Sequence, residues 1–167
     1  MNRLPWRRRL AYIGLGSNLD SPEAQVERAI RRLDSIPRSN VVARSSLYRS
    51  AAFGPVEQPD FINAVAALST RLSSGRLLAE LKRLEEAMGR RPAVRWGPRR
   101  IDLDLLLYGE DVVDRPGLKV PHPGIAERNF VLLPLREIAP ELVVPGLGRL
   151  ADIEVNENEP GISRVDS

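Results

Sequence analysis

Runs of apolar residues along this chain predict its strands. Residues 10–15 form a short aliphatic run and residues 41–48 form a second, while residues 60–72 alternate with the period of two that is typical of a strand. A fourth strand is predicted over residues 101–107, where aspartates alternate with Leu and Ile. Glycine and proline clusters separate the segments, as turns and loops require.

The spacing of other apolar residues predicts helices between these strands. Apolar positions three and four residues apart indicate a first helix over residues 22–35, with Ser21 as its N-cap. A second helix has an apolar stripe of leucines and is capped by Ser73 or Ser74. It is predicted to stop before Gly89, because glycine commonly follows the last helical residue.

The order of the predicted core elements is β-α-β-β-α-β. This order is typical of a ferredoxin-like α+β fold, in which helices pack on one face of an antiparallel sheet. A C-terminal extension follows the core, and residues 129–138 are predicted to be helical. We expect a single domain over residues 10–150, a flexible basic arm over residues 1–9 and an acidic, flexible tail over residues 151–167.

The composition is that of a globular protein and excludes several kinds of site. Of the 167 residues, 43% are hydrophobic and 28% are charged, and the chain has no cysteine and one histidine. Disulfides, thiolate chemistry and a His-rich metal site are therefore excluded. No apolar run is long enough for a membrane span or a signal peptide. We expect a cytoplasmic protein, in keeping with the absence of cysteine.

Charge is distributed unevenly along the chain. Residues 71–100 hold nine Lys or Arg and three Glu, a local net charge of +6, and they directly precede the aspartate strand. An anionic ligand would explain this concentration, since Arg can bind phosphate oxygens through two parallel hydrogen bonds. Solvated charges on a helix and a loop are the commoner explanation of such a run.

Asp102 and Asp104 give the strongest indication of chemistry. They stand two apart on the predicted strand, so their carboxylates share a face and are separated by roughly 6.5–7 Å along the backbone. Carboxylates on an otherwise apolar strand need compensating positive charge. Metal ions bound to a polyphosphate would supply it. A surface edge strand with one polar face is the simpler alternative.

Other polar and aromatic positions are ambiguous taken singly. Phe61 and Asn63 share a strand face, and a ring beside an amide with donors and an acceptor suits a flat heterocycle. A core phenylalanine and a strand-end asparagine explain the pair equally well. Glu85 at the edge of a helix stripe and His122 in a Pro-His-Pro loop also have ordinary structural explanations.

The run Gly14-Leu15-Gly16 follows the first predicted strand and suggests a nucleotide-binding loop. The third glycine of a dinucleotide loop is replaced by Leu19, and no phosphate-loop lysine is present. We therefore predict only a tight turn between a strand and a helix.

Taken in order, these motifs resemble the hydroxymethyl-dihydropterin pyrophosphokinase family of the folate pathway. The resemblance extends from about residue 11 to residue 150, and its most specific part is Arg-Trp-Gly-Pro-Arg-Arg-Ile-Asp-Leu-Asp at residues 95–104. The other segments are residues 11–19 (Ala-Tyr-Ile-Gly-Leu-Gly-Ser-Asn-Leu), 45–49 (Ser-Ser-Leu-Tyr-Arg), 58–64 (Gln-Pro-Asp-Phe-Ile-Asn-Ala), 120–123 (Val-Pro-His-Pro) and 138–142 (Ile-Ala-Pro-Glu-Leu).

The resemblance implies a ferredoxin-like fold and transfer of a pyrophosphoryl group from ATP to the hydroxymethyl oxygen of a reduced pterin, with release of AMP. It implies two Mg²⁺ ions on Asp102 and Asp104, with Arg90 and Arg99 completing the catalytic set. The pterin-binding residues that it implies are Ser50, Ala52, Phe53, Phe61, Asn63 and Phe130. The nucleotide-binding residues that it implies are Lys82, Glu85, Arg99, His122 and Arg128.

The chain departs from the family pattern on the nucleotide side. The loop after Arg90 is one residue shorter than in the relative compared, so Arg91 or no residue supplies the second arginine of that loop. Pro123 stands where a Tyr often follows the loop histidine, and Lys119 stands where some relatives have Thr. These departures concern adenine and ribose binding and leave the reaction class unchanged.

Two other functions fit part of the pattern. A non-catalytic pterin- or nucleotide-binding paralogue would have the same fold, but retention of Asp102, Asp104 and Arg99 argues against it. A ferredoxin-like RNA-binding module would stack bases on sheet aromatics, which are few here, and the two aspartates would repel phosphate. The expected partners are ATP and a reduced pterin, with no nucleic acid and no membrane, and we expect a monomer.

Overall fold

The computed structural model describes residues 7–52, 55, 57–89, 101–155 and 161–165. Within these ranges the chain forms ten strands, three α-helices and one 3-10 helix. In chain order the elements are β1 (Arg9–Ser17), α1 (Pro22–Leu33), β2 (Ser39–Arg44), β3 (Tyr48–Ser50), β4 (Phe61–Thr70), α2 (Ser74–Ala87), β5 (Asp102–Tyr108), β6 (Val113–Arg115), β7 (Leu118–Val120), α3 (Asn129–Ile138), β8 (Val143–Val144), β9 (Gly148–Arg149), the 3-10 helix (Leu150–Asp152) and β10 (Ile162–Arg164).

Six of these strands form one sheet in which every pairing is antiparallel. The order is β10-β3-β4-β1-β5, and β2 pairs with residues 66–70 of β4, beyond the end of β3. The strands β6 and β7 form a hairpin of their own, as do β8 and β9. The predicted α+β class and the predicted antiparallel sheet are confirmed.

The second predicted strand, residues 41–48, is divided between β2 and β3. Ser45 interrupts it: its N–H donates to the Val65 carbonyl at 2.8 Å, and its hydroxyl accepts from the Val65 N–H at 2.9 Å. A serine side chain thus takes the place of a backbone acceptor. The prediction of one continuous strand is wrong here. The pattern of apolar residues does not reveal a side chain that replaces a backbone group in the hydrogen bonding between strands.

The sheet has a separate hydrophobic core on each face. Alternate residues of β1 and β4, such as Ile13 and Ala64, pack beneath α1 and α2. The intervening residues, such as Tyr12 and Val65, pack beneath α3. The prediction that the two core helices occupy one face is confirmed for α1 and α2, and the helix of the C-terminal extension, α3, packs on the other face. α3 therefore covers part of this second face of the sheet. Gly14 and Gly16, near the end of β1, lie on the same face.

The helix ends agree with the sequence in position and differ in detail. Ser73 caps α2 by accepting from the Arg76 N–H at 3.2 Å, and Gly89 follows the helix with a φ of 92°. Ser21 is the N-cap residue of α1, but its backbone is left-handed and its side chain makes no capping hydrogen bond. The first helical residue, Pro22, favours the start of a helix without that cap.

At the edge of the sheet, β10 pairs with β3, and Arg164 lies opposite Tyr48. This strand and the last two residues of the 3-10 helix fall within residues 151–167, the segment predicted as a flexible acidic tail, so five of its residues lie in regular elements. Flexibility of the rest stays a prediction. None of the helices in the described ranges is long and apolar enough to cross a membrane.

Candidate active site

Two glycines of β1 lie between a buried asparagine on β4 and two aspartates on β5, all on one face of the sheet. Gly16 on β1 lies opposite Asn63 on β4 and, on its other side, opposite Asp102 on β5. Two residues earlier, Gly14 lies opposite Asp104. Because directly opposed residues of antiparallel strands point to the same face, Asn63 and both aspartates project from the face that also carries α3. Since neither glycine has a side chain, the backbone of Gly14 and Gly16 forms a floor between these polar groups, which we call the glycine floor.

Phe61 and Asn63 form one side of this floor. Asn63 is buried, with 4% of its surface exposed, and its amide donates to the Ser50 hydroxyl at 2.8 Å. Ser50 is buried as well and lies opposite Phe61 in the β3–β4 pairing. Phe61 and the neighbouring loop residue Ala52 are half-buried. The hydrogen bond fixes the orientation of the Asn63 amide and leaves its carbonyl oxygen directed near Gly16.

Phe130 belongs to the same face of the sheet. It lies in the first turn of α3 and packs against the second hydrophobic core. The guanidinium carbon of Arg128, the residue that precedes the helix, lies 5.9 Å from the centre of the Phe130 ring. The ring and the cation are thus held together at the N-terminal end of α3, where the helix dipole also favours a negatively charged ligand.

His122 interacts electrostatically with both Arg128 and Asp104. Its Nδ1 accepts a hydrogen bond from the Gly124 N–H at 2.9 Å, so the neutral ring carries its proton on Nε2. Burial lowers the pKa of His122, and the positive charge of Arg128 lowers it further, while the charge of Asp104 acts in the opposite direction. The net pKa is below the ordinary value, which leaves a neutral imidazole that can donate from Nε2.

Asp102 and Asp104 form a carboxylate pair of unequal exposure on β5. Asp102 is half-buried and Asp104 is exposed, whereas Leu103 between them is buried on the opposite face. In the part of the chain that the structure describes, no group of three or more acidic or histidine side chains could hold a metal ion. Mg²⁺ is commonly bound by one or two carboxylates together with substrate phosphates. The donor set therefore fits Mg²⁺ that arrives with a polyphosphate.

Lys82 and Glu85 lie on α2, which packs on the other face of the sheet. Lys82 is exposed, and Glu85 is 7% exposed. One carboxylate oxygen of Glu85 accepts from the Leu103 N–H at 2.8 Å, on the edge strand between the two aspartates. Glu85 thus stabilises the backbone that carries Asp102 and Asp104, and its role in nucleotide binding stays a prediction.

Three of the predicted site residues, Phe53, Arg90 and Arg99, lie outside the described residues, as does Arg91. The remaining predicted residues divide into three groups. The first group, on β3 and β4 beside Gly16, is Ser50, Phe61 and Asn63, with Ala52 in the segment that follows β3. The second group is Asp102 and Asp104 on β5 together with His122, Arg128 and Phe130 before and at the start of α3. The third group is Lys82 and Glu85 on α2.

Asn18 was not predicted as a site residue from the sequence. It holds the segment that leads into β4 and Phe61. Its side-chain amide donates to the Gln58 side-chain oxygen and to the Pro59 carbonyl, both at 2.9 Å. Asn18 is 2% exposed, and the bonds hold the segment just before β4 against the end of β1. The Gly-Ser-Asn turn was a possible signal, since asparagine in a turn often bonds nearby backbone. Its partner Gln58 lies forty residues away, so the sequence around Asn18 does not indicate this bond.

Comparisons with known proteins identify relatives of this chain. The family model described as 7,8-dihydro-6-hydroxymethylpterin-pyrophosphokinase matches residues 12–140. The 2-amino-4-hydroxy-6-hydroxymethyldihydropteridine pyrophosphokinase of Haemophilus influenzae is 45% identical over 81% of this chain and 84% of its own length. The enzyme of the same name from Pseudomonas aeruginosa is 44% identical over 92% of this chain and 95% of its own length.

A solved structure supports the fold. The crystal structure of Plasmodium falciparum HPPK-DHPS with pteroate superposes with a TM-score of 0.71 at 14% sequence identity. The superposition covers 88% of this chain and 42% of that chain, so the present chain spans about two fifths of the length of the Plasmodium protein. At this identity the likeness concerns the fold alone.

Proposed function

The chain belongs to the 7,8-dihydro-6-hydroxymethylpterin-pyrophosphokinase family, and we propose that the glycine floor separates its two substrate sites. The reaction is the ATP-dependent transfer of pyrophosphate to the hydroxymethyl group of a reduced pterin in folate biosynthesis. The pterin lies toward β4 and α3, and the triphosphate of ATP lies toward β5. The in-register row Asn63-Gly16-Asp102 carries this assignment.

On the pterin side, three kinds of contact are supported by the geometry. Gly16 lets a flat ring approach the backbone of β1, and Phe61 and Phe130 offer apolar ring surfaces on the same face. Asn63, oriented by Ser50, presents its carbonyl oxygen to a donor on the pterin edge. Ala52 and Phe53, in the segment after Ser50, complete the proposed pterin site.

On the nucleotide side, Asp102 and Asp104 would hold two Mg²⁺ ions together with the ATP phosphates. When bound, the ions neutralise phosphate charge and orient the polyphosphate. His122 and Arg128 add a neutral donor and a fixed cation next to Asp104. Arg90 and Arg99 are proposed as further phosphate contacts, and Lys82 and Glu85 as contacts on the nucleoside side.

The reaction requires an oxygen–phosphorus bond to form and another to break. The pterin hydroxymethyl oxygen attacks the β-phosphorus, the bond from that phosphorus to the oxygen shared with the α-phosphate breaks, and AMP leaves with that oxygen. The hydroxyl proton is released during transfer. The chain contributes chiefly orientation and charge compensation, because two substrates held in line need little covalent help.

Pterin-dependent release of AMP from ATP tests this function. We expect wild-type protein to form AMP only when both 6-hydroxymethyl-7,8-dihydropterin and Mg²⁺ are present. Asn63→Ala should weaken pterin binding by about 1–3 kcal/mol and leave ATP-analogue affinity within about twofold, because it leaves a buried polar edge unpaired. Pterin binding without AMP release would instead indicate a non-catalytic paralogue, and binding of single-stranded RNA would indicate the RNA-binding alternative.

We also propose that the domain of residues 10–150 acts as a monomer. The described residues assigned to the two substrates all come from one chain, from β3, β4, β5, α2 and α3 and from the segment before α3. Light scattering during size-exclusion chromatography should give a mass near the 18.6 kDa of the chain. A dimer mass at assay concentration would contradict this part of the proposal.

A further inference from the structure

The carboxylate of Glu137 joins four segments at the C-terminal end of α3. Its oxygens accept from the Tyr48 hydroxyl at 2.6 Å, from the Ser46 N–H at 3.0 Å and from the Ser46 hydroxyl at 3.1 Å. Arg164 on β10 lies 3.4 Å away and also contacts the Tyr48 hydroxyl at 3.3 Å. The Glu137 side chain is 24% exposed, so these bonds are shielded in part from water. One carboxylate therefore links α3, the connection after β2, β3 and β10.

The bonds of Glu137 fix the position of β3. Tyr48, held by Glu137, lies opposite Asn63, and Ser50 at the other end of β3 accepts the Asn63 amide bond. β3 has only three residues and pairs with β4 on one side and with β10 on the other. Glu137 and Arg164 therefore fix the short strand that orients the pterin-side amide.

The same bonds fix the last turn of α3 to the sheet. Phe130 stands seven residues before Glu137 on the same helix, roughly 10 Å away along its axis. α3 is one continuous helix of ten residues, although Pro134 lies between Phe130 and Glu137, so fixing its last turn to β3 also constrains the position of its first turn. The ring of Phe130 and the amide of Asn63 thus take their separation from one shared anchor.

We propose that Glu137 is a positioning residue for the pterin site, which sets the spacing between Phe130 on α3 and the Ser50–Asn63 pair on the sheet. This inference rests on the function proposed above, because it takes the glycine floor between those residues as the pterin site. Glu137 does not touch the substrate. It acts through Tyr48, Ser46 and α3, in whose last turn it lies.

The Michaelis constants of Glu137→Gln separate this role from general stabilisation. The variant keeps the size of the side chain but removes the charge and one acceptor oxygen, so the bonds to Tyr48 and Ser46 cannot all be retained. We expect the KM for the pterin to rise by about three- to tenfold, with the KM for ATP within about twofold of wild type. Direct titration with the pterin in the presence of an ATP analogue should show the same selective loss.

Glu141→Gln is the matched control. Glu141 follows α3, is exposed, and forms an ion pair with Arg149 at 2.7 Å away from the glycine floor. It should leave both Michaelis constants unchanged. Equal weakening of both substrates by Glu137→Gln, or an unchanged KM for the pterin, would overturn the proposal. If wild-type protein itself bound no pterin, the proposed function would fail instead, so the two failures can be told apart.

Tyr48→Phe provides a second route if Glu137→Gln does not fold. It removes one hydrogen bond to Glu137 and leaves those from Ser46 in place. We expect a smaller rise in the KM for the pterin in the same direction. If both variants fold, the double variant should show less than the product of the two single effects, because both changes disrupt one network. Multiplicative effects would show that Tyr48 and Glu137 act independently and would contradict the proposed anchor.

Discussion

Gly16 lies directly opposite Asn63, and a Cβ at position 16 would come within 3.3 Å of the Asn63 Oδ1 atom. The same Cβ would lie 3.9 Å from the Phe61 ring. The close approach of β1 to this polar group therefore favours glycine at position 16, whereas the sequence indicated only a tight turn. Its missing side chain provides the space that we assign to the pterin.

Gly16→Ala should weaken pterin binding more than it weakens the fold. The added methyl group fills the floor and presses on the Asn63 carbonyl, so we expect a loss of about tenfold or more in pterin affinity, equivalent to about 1.4 kcal/mol. Calorimetric titration with the pterin and with an ATP analogue would measure the two affinities.

Gly14→Ala is the control for that substitution. It lies on the same strand and face, but the atoms nearest to its Cβ would be Leu106 side-chain atoms at 3.5 Å, which is ordinary contact. Pterin affinity should therefore be retained. Similar losses from both variants would mean that any added methyl group disturbs β1 and that Gly16 has no particular relation to the pterin.

Asp102→Asn and Asp104→Asn should each reduce turnover by about a hundredfold or more, since charge compensation by a bound cation is commonly worth several kcal/mol. Magnesium titrations of AMP release should show a higher Mg²⁺ requirement in both variants. Asp114→Asn on β6 is the control, because that carboxylate is 82% exposed and its nearest cation, Lys119, is 3.9 Å away. Normal turnover of both β5 variants at saturating Mg²⁺ would exclude these carboxylates as ligands.

Elements whose signals are local could be predicted from the sequence, and those that depend on distant partners could not. The spacing of Asp102 and Asp104 correctly placed them on one strand face, since the period of two holds wherever β5 is regular. The bonds of Glu137 to Ser46 and Tyr48 join residues about ninety positions apart, and no sequence pattern near Glu137 predicts them. The same is true of β10, whose partner strand lies more than a hundred residues earlier.

Glu85 gives a direct test of a structural against a nucleotide-binding role. Glu85→Ala leaves the Leu103 N–H of the edge strand without its 2.8 Å acceptor, which should lower the free energy of unfolding by about 1–3 kcal/mol. Glu85→Gln keeps an acceptor oxygen and should retain most of that stability. Urea unfolding of both, with Glu86→Ala and Glu86→Gln as exposed neighbours for comparison, would separate the effects.

The affinity of the Glu85→Gln variant for an ATP analogue then decides the second role. If Glu85 contacts the nucleotide through its charge, this variant should be stable but bind the analogue more weakly. If the variant is stable and binds the analogue as wild type does, Glu85 only supports β5. A variant that loses as much stability as Glu85→Ala would show that the Leu103 bond requires the ionised carboxylate.

The Glu137 network should also give the protein a specific dependence on pH. Burial raises the pKa of Glu137, but hydrogen bonds from Tyr48 and Ser46 and the charge of Arg164 outweigh it, so the net pKa is below its ordinary value of 4.5. A carboxyl group whose pKa is lower in the folded protein contributes stability above its unfolded pKa. That contribution is lost as the pH falls through the folded pKa.

Urea unfolding of wild type and Glu137→Gln across a pH series would test this dependence. The difference in their free energies of unfolding should be about 1–3 kcal/mol near neutral pH, stay constant down to about pH 5, and shrink once the pH falls below 4.5. Other groups with lowered pKa values, such as Glu27 beside Arg44, are common to both proteins and cancel in the difference. A difference that stays constant to pH 3 would show that Glu137 is not stabilised as a carboxylate, and that the bonds from Tyr48 and Ser46 do not depend on its charge.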